Sequence, residues 1–122
     1  MREEIAAGTI GEVKQVIASF GEIIDVPRMH KKDLGGGTIL DLGIYTIQVA
    51  QMVFGGEVPT VVASGHMGED GVDESTSTTL IYKNGRTATL VTHSRVKLNN
   101  EVYMLFQVVW GSSVSLSLFL KY

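Results

Sequence analysis

A chain of 122 residues, 44% hydrophobic and 19% charged, fits one domain with a packed core and is too short for a dinucleotide-binding domain plus a substrate domain. Its net charge of −3, with Lys14, Lys31, Lys32, Lys83, Arg86, Arg95 and Lys97 interleaved among acids, offers no field for phosphate backbones and argues against nucleic acid as a partner. The absence of cysteine excludes a disulfide framework, a thiolate zinc site and a cysteine nucleophile.

Residues 2–7 are acidic and helix-forming, and Gly8 and Gly11 supply a stop and a turn. No apolar core of an export signal is visible, and the expected location is cytoplasmic. The stretch 12–24 reads as a long strand with apolar groups on both faces, ended by Pro27. A basic loop over 28–33 leads into Gly35, Gly36 and Gly37, and these open a helix over 38–54 that Gly55 and Gly56 terminate. That helix is apolar on nearly every side, so the expectation is a buried one.

Beyond Pro59 the pattern changes to short β-rich runs at 60–65, 75–82, 87–93 and 101–110, with 112–120 as a further candidate. Asn84-Gly85 between two of them is a hairpin signal. The stretch 102–120 carries no charged side chain and is long enough to cross a bilayer as a helix. However, Ser113, Ser115 and Ser117 alternate with Val114, Leu116 and Leu118, a period of two. The tail is therefore expected to be strand, with a tail anchor as the weaker alternative and no membrane partner expected. The fold class that follows is α+β: one open, mainly antiparallel sheet with a buried, glycine-initiated helix packed on one face.

Three successive glycines are entropically costly, so the backbone at 35–37 either takes positive φ or lies close to another group. The plain reading is a flexible loop. The sharper one sets the helix start, with its free amides, against an oxygen-rich ligand. Asp41 follows in the first turn, where the helix dipole alone favours a carboxylate. Asp41, Tyr45 and Gln48 lie at i, i+4 and i+7, placing three polar groups on one stripe of an otherwise apolar helix. For acid–base work a tyrosine needs its pKa of about 10 drawn toward neutrality by a cation, and no nearby lysine is an obvious source. Otherwise Tyr45 is a core aromatic whose hydroxyl reaches Asp41 or the solvent edge. His30, His66 and His93 lack metal-helix spacing, and no metal site is expected.

The runs GTIGEV at 8–13, VPR at 26–28, GGGTILDLGIYTIQ at 35–48, MVFGG at 52–56 and GVDEST at 71–76 resemble the C-terminal domain of the glucose-fructose oxidoreductase and inositol dehydrogenase (Gfo/Idh/MocA) family. The resemblance covers roughly residues 1–100 and implies a substrate and dimerisation domain over 1–101, followed by a divergent apolar tail over 102–122. It implies Asp41 as the helix carboxylate near nicotinamide and sugar, Tyr45 as the proton donor or acceptor, and Phe20, Arg28 and Lys14 as substrate neighbours. Cofactor contact from this chain would come at Gly36 and Gly37 alone. The family's N-terminal Rossmann domain, with its G-x-G-x-x-G turn and catalytic E-K-P lysine, has no counterpart in these residues.

What the resemblance implies is a fragment of an NADP-dependent oxidoreductase acting on D-xylose-like aldoses or trans-dihydrodiols, forming a homodimer through the sheet face. The alternative is a non-catalytic dimerisation module. After Asn99 and Asn100 the family's polar G-T-K-G-like turn is replaced by EVYMLFQVVWGSS, so a truncated or alternatively processed product is expected.

Overall fold

Residues 11–107 and the backbone of 113–118 are described by a computed structural model. The helix expected at 2–7 lies outside them. Six strands form a single sheet: β1 (Glu12–Gly21), β2 (Thr60–Met67), β3 (Asp73–Ile81), β4 (Thr87–His93), β5 (Val102–Gln107) and β6 (Ser113–Leu118), in the order β2-β3-β4-β1-β5-β6. Every neighbouring pair is antiparallel except the central β1–β4 pair, which is parallel. The open, mainly antiparallel sheet is thus as the residue pattern predicts, with one parallel junction at its centre.

Period-two alternation sets the inner face of the sheet. Ala88 and Leu90 of β4, and Val102, Met104 and Phe106 of β5, are buried and point one way. On β1 a register shift between Val13 and Gln15 lets Val13 and Val16, three positions apart, both enter the core. The β3–β4 hairpin turns through Lys83–Gly85, where Asn84 (φ 61°) and Gly85 (φ 69°) both take the left-handed region that Asn-Gly favours. The Tyr82 amide donates to the Arg86 carbonyl at 2.9 Å to close it.

The uncharged tail forms β5 and β6 rather than a membrane helix. Because β5 pairs with the central strand β1 and contributes three core side chains, the fold does not break after residue 101.

The segment expected to be loop contains a short helix α1 (Pro27–His30), with Pro27 in its first turn, and a 3-10 turn at Lys32–Leu34. A wide π-helical turn, Ile39–Gly43, then runs into α2 (Ile44–Phe54). By length and composition the helical run Lys32–Phe54, 23 residues of mean hydropathy 1.2, would suffice to cross a membrane, but one side of it packs on the sheet.

Leu42, Val49, Ala50 and Phe54 face the inner layer. The other side does not: Leu40 is 67% exposed, Ile44 58% and Ile47 41%. The expectation of a helix buried all round is therefore corrected. The sheet covers one face; on the other, Ile47 borders an apolar cavity toward β2, while Leu40 and Ile44 stand largely in solvent.

Candidate functional site

The three glycines serve the chain's own packing. Gly35 (φ 71°) caps the 3-10 turn, and the amides of Gly35, Gly36 and Gly37 donate to the carbonyls of Lys32 (3.0 Å), Lys31 (3.0 Å) and Met29 (3.1 Å). A Cβ on Gly36 would sit 2.6 to 2.8 Å from the carbonyl oxygens of Arg28, Met29 and Lys31. Gly37 (φ 122°) makes room for Asp73, whose Oδ1 a Cβ there would overlap and whose Oδ2 accepts the Ile39 amide at 2.7 Å. The oxygen-rich group at the helix start is therefore an internal carboxylate. The Gly36 and Gly37 amides are both bonded within the chain.

Asp41 sits on the π-turn, its amide donating to the Gly37 carbonyl at 3.3 Å. Its carboxylate receives both terminal nitrogens of Arg28, Nη1 to Oδ1 at 2.5 Å and Nη2 to Oδ2 at 3.2 Å. This two-point fit of planar groups is what arginine offers and lysine cannot. The hydrogen bond to Asp41, reinforced by its charge, raises the Arg28 pKa further above its ordinary value. A cation thus stands beside the helix carboxylate, on α1.

Tyr45, 43% exposed, follows one turn after Asp41, and its ring meets Phe20 edge-on at 5.3 Å between centroids. Phe20 lies near the end of β1, which places the strand's exit beside the helix start. Lys14 lies six positions back along β1, roughly 20 Å away at about 3.3 Å per residue. It bonds Glu12 at 2.8 Å and the Asn84 carbonyl at 3.2 Å. The structure therefore brings Arg28 to Asp41 and Phe20 to Tyr45, and leaves Lys14 at the far end of the strand. Gln48 is exposed, so the polar stripe is not a buried one.

The residue that local reading missed is Asp73. Its signal was present in the GVDEST run, but nothing in spacing ties residue 73 to a helix start 34 positions earlier.

His30 Nε2 lies 3.1 Å from Asp25, and His66 Nε2 3.9 Å from Glu74, around a cavity of about 800 Å3 that Arg95 also lines. A second, apolar cavity of about 530 Å3 lies between α2 and β2, lined by Ile39, Ile47, Val58, Val61 and Ala63 among others. Neither of these two is lined by Asp41 or Tyr45.

Residues 1–115 match the family model described as the GFO/IDH/MocA C-terminal domain. The chain belongs to that family. It is 45% identical over 103 residues to trans-1,2-dihydrobenzene-1,2-diol dehydrogenase of Xenopus tropicalis, a match covering 83% of this chain and 31% of that protein. The Homo sapiens protein of the same name is 39% identical over 84 residues, covering 67% and 25%.

Among solved structures, an aldose-aldose oxidoreductase from Caulobacter crescentus, complexed with glycerol, superposes with a TM-score of 0.72 at 21% identity, covering 96% of this chain and 40% of that one. A 3-ketoreductase from Actinomadura kijaniata, in complex with NADP and TDP-benzene, gives 0.67 at 21%, covering 96% and 44%. These likenesses carry the fold. The chain spans about a third of the length of the dihydrodiol dehydrogenases that it matches. The curated relatives that it matches are named as dehydrogenases or oxidoreductases.

Proposed function

We propose that this chain is the substrate-side half of an NADP-dependent oxidoreductase site for trans-dihydrodiols or D-xylose-like aldoses. The observation that carries the reading is the Arg28–Asp41 fork one helical turn from Tyr45, at the edge of a helix face left bare. Leu40, Ile44 and Ile47 form an i, i+4, i+7 stripe of exposed aliphatic surface, an arrangement that calls for a covering layer. A dinucleotide-binding domain would supply that layer.

The residues present fit the nicotinamide end of the cofactor only. Leu40 and Ile44 offer an exposed apolar surface next to polar groups, whereas the glycine amides, which would otherwise be free to cradle phosphates, are bonded internally. When bound, the nicotinamide supplies the hydride acceptor. Arg28 holds the Asp41 carboxylate in one orientation, leaving it able to accept a hydrogen bond from a substrate hydroxyl. Tyr45 takes the hydroxyl proton as the carbon is oxidised, one helical turn from the Asp41 carboxylate.

The sheet's outer face supports a homodimer. One row across it reads Val62, Thr79, Thr89, Ile17 and Tyr103, all uncharged, with the Tyr103 hydroxyl donating to the Glu101 carboxylate at its edge. The same row favours the second reading, a non-catalytic dimerisation module.

The test is reconstitution. The chain, mixed with the separately expressed dinucleotide-binding domain of a dihydrodiol dehydrogenase, is expected to form NADPH with trans-dihydrodiol or D-xylose where neither part alone does. A well-folded, dimeric chain that associates with that domain yet gives no turnover would leave the scaffold reading in its place.

A further inference from the structure

Asp73 touches neither Asp41 nor Arg28, yet the geometry points to it as the residue that positions both. We propose that Asp73 is a positioning residue for the Arg28–Asp41 pair, acting through the Ile39 amide; this rests on the reading of Asp41 as the site carboxylate. Asp73 opens β3 opposite Met67, where the β2–β3 register shifts, and its carboxylate reaches the helix start.

One oxygen, Oδ2, accepts the Ile39 amide at 2.7 Å, and the other fills the space that Gly37 leaves open by having no side chain. Ile39 is the first residue of the π-turn, and Asp41 is its third. Thr38, immediately before, is fully buried, so the helix start cannot swing outward to compensate.

The chain of positioning is then short. The carboxylate of β3 fixes the first amide of the wide turn, and the turn fixes the direction of Asp41. Arg28, on a helix that Gly36 packs against, closes on Asp41 from the other side. A π-turn is a rare departure from α-helical geometry, found mostly as a single turn within a helix. An ionised acceptor at its first amide steadies it, since a charge-assisted hydrogen bond is about twice as strong as a neutral one.

The test uses the 122-residue chain and reads geometry, not turnover. In nuclear magnetic resonance spectra, a guanidinium held at two points rotates slowly and shows separate Nη signals. In Asp73→Ala the Arg28 Nη signals are expected to merge and the Ile39 amide to exchange at least tenfold faster, with Val16 and Leu90 in the sheet core unchanged. Asp73→Asn, which keeps an oxygen acceptor, is expected to speed Ile39 exchange about threefold to tenfold while the Nη signals stay separate.

Unchanged Ile39 exchange and Arg28 signals in Asp73→Ala would overturn the assignment, as would a uniform loss of protection that includes Val16 and Leu90. If Asp73→Ala does not fold, Asp73→Asn decides, and wild-type Ile39 exchange in it overturns the proposal. Failure of the reconstituted pair to turn over, with these spectra as expected, would count against the oxidoreductase reading and not against the role of Asp73.

Discussion

Arg28 grips Asp41 with two nitrogens across 13 residues of sequence, joining a one-turn helix to a π-turn through the only planar fork that a basic side chain offers. Arg28→Lys keeps the charge and loses the fork. In a reconstituted enzyme the expected result is a fall in kcat of at least about tenfold, because a carboxylate free to turn no longer presents one orientation to substrate. Steady-state kinetics check this, and a variant with unaltered kcat would show that charge alone suffices.

Tyr45→Phe separates chemistry from packing. The ring keeps its edge-on contact with Phe20, so stability is expected to change by no more than about 1 kcal/mol, the net worth of a typical hydrogen bond. Turnover in the reconstituted pair is expected to fall by roughly 10²- to 10⁴-fold, the range of a lost acid–base group. Thermal unfolding and single-turnover rates read the two quantities separately.

Gly36→Ala tests whether the glycine run is packed or merely flexible. Three backbone carbonyls, none able to rotate aside as a side chain would, stand 2.6 to 2.8 Å from the new methyl group. The expected cost is about 1–3 kcal/mol, in the range of an overpacked core, and denaturant unfolding measures it. An unperturbed midpoint would favour the flexible-loop reading.

The pH dependence has two separate sources. Glu57 is held below the ordinary carboxylate pKa, first by the Lys83 amide and then by Arg86. A depressed native pKa means that its contribution is present above the unfolded-state value and is lost as pH falls through the native one. Acidification below the usual glutamate range is therefore expected to loosen the Lys83–Gly85 turn where Glu57 holds it, and amide exchange at Lys83 reports this. Arg28 runs the other way. Its raised pKa keeps its contribution intact until strongly alkaline pH, so no change in the Asp41 pair from that side is expected near neutrality.

Much of the sheet was legible because β-strand faces are local. Alternation alone sets β4 at Thr87–His93, and Asn84-Gly85 marks the hairpin since both positions need positive φ. The same periodicity misjudged α2, because an apolar stripe states what must be covered and not whether the covering layer lies in these residues. The parallel β1–β4 junction, the Arg28–Asp41 fork and the Asp73 cap all join positions brought together only by the finished fold. Lys14 shows the converse error: it shares a strand with Phe20, but six residues of extended chain separate a site from its opposite end.

The central claim is that the bare side of α2, with Asp41 and Tyr45 at its margin, is one wall of a two-domain site. Hydrogen exchange of the chain, with and without an equimolar dinucleotide-binding domain and NADP, tests it most directly. The prediction is slowed exchange over the π-turn and α2, around Leu40, Ile44 and Ile47, with the outer strands of the sheet unaffected. Protection confined to the sheet strands, with the 39–48 segment exchanging as in the free chain, would contradict it.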